Sequence, residues 1–150
     1  MPQSLAKIHI HLVFSTKNRD PFLDDKIRPD LHSYMVTVLK NFGCPAELIN
    51  SVPDHVHILF ELARTVSLSD AVEEIKKVSS KWIKTQGAEY AQFAWQSGYG
   101  AFSVSESNIA LVRKYIVGQK EHHRKKSFQE EYLAFLKRHR LPYNEKYLWD

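Results

Sequence analysis

An α+β fold of the ferredoxin-like kind, one antiparallel sheet with two helices on one face, is predicted by two observations. Segments that alternate in hydropathy and segments with apolar residues three or four apart follow one another in the order β-α-β-β-α-β. The chain has 150 residues, 43% of them hydrophobic and 25% charged, the size and composition of one globular domain spanning 1–150. RNA-recognition modules share this architecture, which leaves the second sheet face open for ligand or chemistry.

The elements follow in order. Residues 7–15 alternate, with Ile8, Ile10, Leu12 and Phe14 on one side and His9, His11 and Val13 on the other, as a half-buried strand does. After the turn-prone T-K-N-R-D-P stretch, Ile27, Leu31, Tyr34, Val38 and Phe42 recur at helical spacing. Pro29 falls in the first turn of that helix and Gly43 just past its end. Ala46–Val52 and His55–Leu62 then form a hairpin about Pro53-Asp54, with Val56, Ile58, Phe60 and Leu62 facing the core. His55 and His57 point the other way. Ser67 and Asp70 cap a second helix carrying Val72, Ile75, Val78 and Trp82 up to Gly87. The run from Phe93 to Val104 reads as a last strand broken at Gly98 or Gly100. Two helices complete the chain, at about 105–121 and about 127–138, the second opened by Ser127 and Glu130 in capping-box register.

Composition excludes several classes. A domain of this size buries about two-thirds of its unfolded surface and needs no disulfide or structural zinc. Cys44 is the single cysteine, which suits a small buried residue in a reducing, cytoplasmic setting. No run approaches the roughly 18 apolar residues of a membrane span, and the first residues lack an apolar signal core. Phosphate-loop and dinucleotide fingerprints are absent, so no nucleotide cofactor is implied, and no G-x-S-x-G elbow points to a hydrolase. The formal charge is +4, and residues 111–140 hold nine Lys and Arg against three acids. Such a segment is the footprint of a polyanion binder, although a solvated helix face explains it as well.

Two groups of residues carry candidate chemistry. His55 and His57, two apart on a strand, lie on one face about 6.6 Å apart at Cα and can reach one metal ion. The pair alone is weak, since His9 and His11 repeat it, and a structural or exposed role accounts for either pair taken singly. In the helix that follows the last strand, Tyr115, Gln119 and His122 share one stripe, as an ordinary amphipathic helix with an interfacial tyrosine also would. A phenol of pKa about 10 is a poor nucleophile unless a cation or an activated electrophile is near. A metal on the His pair would supply that cation, with the Gln119 side-chain oxygen as a third ligand.

The strings P-D-H-V-H-I-L-F (Pro53 to Phe60) and Y-I-V-G-Q-K-E-H-H (Tyr115 to His123) closely resemble the single-tyrosine HUH transposases of the insertion-sequence 200/605 type. H-L-V-F-S-T-K-N-R, W-Q-S-G-Y-G and the terminal Y-L-W-D extend the resemblance over nearly the whole chain. It implies an IS200-like transposase fold that cleaves and rejoins single-stranded DNA hairpins at transposon ends. By this likeness Tyr115 attacks the phosphodiester to give a 5'-phosphotyrosine and a free 3'-hydroxyl. His55, His57 and Gln119 would hold a divalent ion, Mg or Mn; imidazoles suit zinc or manganese better than magnesium. A homodimer whose tyrosine helices reach across to the partner is implied as well. Lys17, Arg19, Arg113, Lys114, Lys120, His122, His123, Arg124, Lys125 and Lys126 then read as DNA contacts, and His9 and His11 as structural or peripheral.

Two alternatives stay open beside this reading. A domesticated relative that processes repetitive palindromes would resemble the chain around the His pair, but commonly has Asn-Pro after the tyrosine motif where Gln stands here. A non-enzymatic RNA-recognition module would want stacking aromatics on the third strand, where this chain has D-H-V-H-I-L-F-E.

Overall fold

The computed structural model describes residues 2–150; Met1, the first residue of the expected domain, lies outside them. Strands β1 (His9–Ser15), β2 (Ala46–Val52), β3 (His55–Glu61) and β4 (Gly100–Val104) form one antiparallel sheet in the order β2-β3-β1-β4. Helices α1 (Arg28–Asn41) and α2 (Leu68–Lys84) cross over one face, as the ferredoxin-like pattern requires. Pro29 sits in the first turn of α1, and Gly43, at φ +81°, follows its end in the left-handed region that glycine adopts without strain. The Ser67 side chain caps α2 by accepting from the Asp70 backbone N–H, which satisfies one of the donors a helix start leaves orphaned.

The face of α1 that is fully buried runs through Leu31, Met35 and Leu39, with Ile27 just before it. Tyr34, Val38 and Phe42, expected on that stripe, flank it; Tyr34 stacks on Trp82 of α2 at 5.3 Å between ring centroids. The last strand is shorter than its sequence predicts. Residues 93–99 leave the sheet, apart from a bridge between Thr16 and Trp95, and carry Phe93 and Trp95 into the core under the helices. Pairing resumes at Gly100, where an added Cβ would lie 3.2 Å from the Phe102 and Tyr132 rings and would push them back by a few tenths of an ångström.

The helix expected over 105–121 is interrupted. A 3-10 turn at Glu106–Asn108 leads into α3 (Ile109–Val117), and Gly118 separates it from a single turn, α4 (Gln119–His122). Beyond these come α5 (Phe128–Arg138) and a terminal turn, α6 (Glu145–Leu148). The capping box on α5 is present, with Ser127 and Glu130 satisfying each other's backbone N–H.

Helix α5 changes the architecture that the sequence predicts. The second sheet face, expected to be open, is covered: Phe128, Tyr132 and Leu136 pack on Val13 and Phe102 as a second core. All seven positions of β1 are therefore buried, where alternation suggested a half-buried strand. Apolar side chains four apart on α5 removed more free energy from water by docking than the polar strand positions lost by being covered.

Candidate active site and metal centre

Strand β3 builds the floor of the site. Its two-residue period sends Val56, Ile58 and Phe60 into the main core and His55 and His57 to the face beneath α5, where both are fully buried. The Pro53-Asp54 turn places the Asp54 carboxylate 2.7 Å from His55 Nδ1. Because β1 pairs with β3, His11 reaches the same face, and its Nε2 lies 2.8 Å from His57 Nδ1. Both imidazoles of the pair thus have one nitrogen engaged from behind and Nε2 left to face the site, the usual arrangement around metal-bound histidine.

Helix α3 brings Tyr115. Ile116 is its only buried residue among the nine, and the helix is tied to β2 by polar bonds: Asn50 Nδ2 donates to the Ile116 carbonyl at 2.7 Å, and Arg113 donates to the Glu47 carbonyl at 3.0 Å. The Tyr115 ring comes to 5.9 Å from the His57 ring and 6.3 Å from the His11 ring, between centroids. Gln119 and His122 continue the predicted stripe. The Gln119 amide donates to the Tyr115 carbonyl at 3.3 Å, and His122 Nε2 is 3.3 Å from the Tyr115 hydroxyl.

Glu131 of α5 lies at the centre, and sequence reasoning missed it. Its Oε1 is 2.9 Å from His57 Nε2 and 3.4 Å from His55 Nε2. Its Oε2 is 3.2 Å from His123 Nε2 and 3.3 Å from His122 Nε2, and it accepts a hydrogen bond from the Tyr115 hydroxyl. The signal was present as an acid lying within the apolar stripe Phe128, Tyr132 and Leu136, but an acid in the first turn of a helix suits the helix dipole equally well. Arg138, also unforeseen, lines the clefts on both sides of Tyr115.

The charges respond to burial and to that carboxylate. Burial pushes His57 down to about 4, against the pull of Glu131, and His11 down to about 3, with His57 adding to the effect. His55 is also penalised by burial, but Asp54 and Glu131 together outweigh it and raise its pKa. Burial and then the Glu131 carboxylate hold the Tyr115 phenol protonated well above the usual range, with the Gln119 side chain opposing them. Burial disfavours the Glu131 charge, yet hydrogen bonds from His123, His55 and His57 keep its pKa far below that of a free carboxyl.

The donor set fits a divalent metal ion. One ligand atom from each of His55, His57, His123 and Glu131 falls within 4.8 Å of the others. Gln119, expected as a ligand, is fully buried with its Oε1 lacking any partner, an unsatisfied acceptor beside Tyr115. Imidazole nitrogens with carboxylate and amide oxygens suit manganese or zinc more readily than magnesium.

The other predicted contacts are dispersed. Lys114, Lys120, Lys125 and Lys126 are exposed, and Arg124 pairs with Glu121 at 3.0 Å. Lys125 and Lys126 share an open cleft with His122 and Gly118. His122 and His123, expected to meet DNA or solvent, turn inward because the buried carboxylate of Glu131 requires donors. Lys17 and Arg19 lie on the loop after β1, with Arg19 over the Trp149 ring at 5.8 Å. His9 lies 2.5 Å from Glu106 and 3.2 Å from Glu47, beside the approach to α3.

Comparison with known proteins adds a family to this geometry. The family model described as IS200-like transposase matches residues 4–119. The chain is 23% identical over 118 residues to the ISDra2 transposase TnpA of Deinococcus radiodurans, covering 75% of this chain and 84% of that protein. A crystal structure of a Deinococcus radiodurans chain described as a transposase superposes with a TM-score of 0.62 at 23% identity, over 79% of this chain and 98% of the other. A REP-associated tyrosine transposase bound to a REP hairpin gives 0.60 at 15% identity, over 82% of this chain and 73% of the other. Both superpositions report a shared fold. Among the described residues no helix is long and apolar enough to cross a membrane.

Proposed function

The chain belongs to the family of IS200-like transposases, and on that premise we propose that it cleaves and rejoins single-stranded DNA at hairpins through Tyr115. In this reading the Tyr115 oxygen attacks the scissile phosphorus, the bond from phosphorus to the 3'-oxygen breaks, and that oxygen leaves as a 3'-hydroxyl. The 5'-phosphate remains on the tyrosine, and the energy of the broken phosphodiester is kept for the rejoining step. His55, His57 and Gln119 hold a divalent ion, Mg or Mn. When bound, that ion supplies positive charge to the phosphate oxygens and loosens the hold of the phenol on its proton.

The observation that carries the proposal is the meeting of Tyr115 with the His pair inside one chain, 5.9 Å between the Tyr115 and His57 rings. Two segments 58 positions apart in sequence, 57 and 115, have no other evident reason to share a polar buried pocket. The buried, unpartnered side-chain oxygen of Gln119, one helical turn after Tyr115, supports the ligand role assigned to it. For DNA, support comes from the exposed Lys114, Lys120, Lys125 and Lys126 on the rim, which position phosphates without reading sequence. Arg113, Arg124, Lys17 and Arg19 complete that set in the proposal, with His122 and His123 at its inner edge. Hairpin binding is supported by the REP-associated structure, which holds such a hairpin. A homodimer also belongs to the proposal, since Leu111 and Val117 of α3 are 68% and 66% exposed and offer apolar surface for a second copy.

Incubation of the protein with a labelled single-stranded hairpin and Mn2+ tests the reading. A covalent protein–DNA adduct is expected, and it must vanish in Tyr115→Phe. Cleavage that persists in that variant removes the assigned nucleophile.

A further inference from the structure

We propose that Glu131 is a ligand of the divalent ion held by His55 and His57, so that α5 closes the metal site. The inference rests on the reading of that His pair as a metal site, and it goes beyond the family pattern because Glu131 lies outside the matched segment, residues 4–119.

Three features lead there. The first is a buried charge held by hydrogen bonds alone, with no permanent cation beside it. Glu131 is 2% exposed, and every group that bonds to it is an imidazole or the Tyr115 hydroxyl; among the described residues no Lys or Arg pairs with it. A buried carboxylate without a permanent cation is costly, and a divalent ion at the same point supplies one. The second is dimension. The ligand atoms of His55, His57, His123 and Glu131 lie within 4.8 Å of one another. With bonds of about 2.1 Å, two ligand atoms of one ion stand at most about 4.2 Å apart, so the widest separation would have to contract by at least about 0.6 Å for all four to bind.

The third is orientation. Glu131 turns Oε1 to the His pair and Oε2 to Tyr115 and His123, so a single carboxylate spans the metal position and the nucleophile. It is held in place from both sides along α5, by Phe128 and Tyr132 in the second core and by the capping box one turn earlier. Asp54 behind His55 and His11 behind His57 hold the two rings toward it. A carboxylate also supplies the negative charge that the neutral Gln119 amide lacks, which a doubly charged ion favours.

The test is Mn2+ affinity of the full chain without DNA, measured by calorimetry and by the loss of the free-ion electron paramagnetic resonance signal. Glu131→Gln is expected to weaken binding by at least the roughly 10- to 100-fold that losing even an outer partner of a ligand costs. His57→Ala is expected to weaken it likewise. If His57→Ala loses affinity and Glu131→Gln keeps it, Glu131 is no ligand while the His pair stands. If neither variant changes affinity, the His pair itself is not the metal site and the inference falls with it. Should Glu131→Gln fail to fold, crystals of the wild-type chain soaked in Mn2+ decide the question. An anomalous peak bonded to His55, His57 and Glu131 is expected; a peak on the His pair with the Glu131 carboxylate turned away overturns the proposal.

Discussion

Truncating Phe128 to alanine probes the docking of α5, on which the enclosure of the site depends. Phe128 is 2% exposed, and its ring lies 4.8 Å from that of His55 and 5.3 Å from that of Tyr132. It is one of three α5 residues among the five that make the second core, the others being Val13 and Phe102 from the sheet. Removing a buried phenyl ring costs about 3–5 kcal/mol in transfer and cavity terms. With two fully buried apolar anchors, Tyr132 and Leu136, and the half-buried Phe135 left on a helix of eleven residues, a loss of that size is expected to undock α5 while the main core survives. The assay is hydrogen exchange of the α5 backbone together with urea denaturation. Amides of α5 in Phe128→Ala are expected to lose protection, while those of β1 and β3 retain theirs. The buried imidazoles of His55 and His57 should then become reactive to an acylating reagent that leaves them untouched in the wild-type chain. Protection of α5 within about 1 kcal/mol of wild type would refute the claim that this contact closes the sheet face.

Three further outcomes are expected. Asp54→Asn removes the carboxylate that holds the His55 ring, and Mn2+ affinity should fall about 10- to 100-fold with little change in the thermal midpoint of the metal-free chain. Ser79→Ala strands the Trp95 indole N–H, which donates to Ser79 Oγ at 3.0 Å inside the core, and should cost about 1–3 kcal/mol in urea denaturation. Burial lowers His32 to about 4 and His11 to about 3, so between pH 6.5 and 4 the unfolded chain binds more protons than the folded one; stability present above pH 6.5 is then lost on acidification. Thermal midpoints measured across that range should fall less steeply in His32→Gln than in wild type.

Much of the molecule is legible in spacing. A two-residue period and a Pro-Asp turn were enough to set His55 and His57 on one face of β3, and the stripe through Tyr115, Gln119 and His122 survives the break at Gly118. The caps at Ser67 and Ser127 form as local rules require. Both kinds of feature depend on neighbours a few positions away, and periodicity reports such neighbours directly. The end of the aromatic run before β4 was misread because Phe93 and Trp95 serve the core from a loop, and apolar content does not separate that from a strand.

Glu131 marks where this legibility ends. In sequence it is one of two acids in the first turn of a capped helix, suited to the helix dipole and to solvent. Its partner His57 is 74 positions away, and no local pattern links them. Residue spacing determined the sheet, its helices and the facing of the His pair. Only tertiary packing decided that α5 would cover the second sheet face, because the free energy of burying Phe128, Tyr132 and Leu136 is collected from strands distant in the chain. That burial carries the Glu131 carboxylate to the His pair.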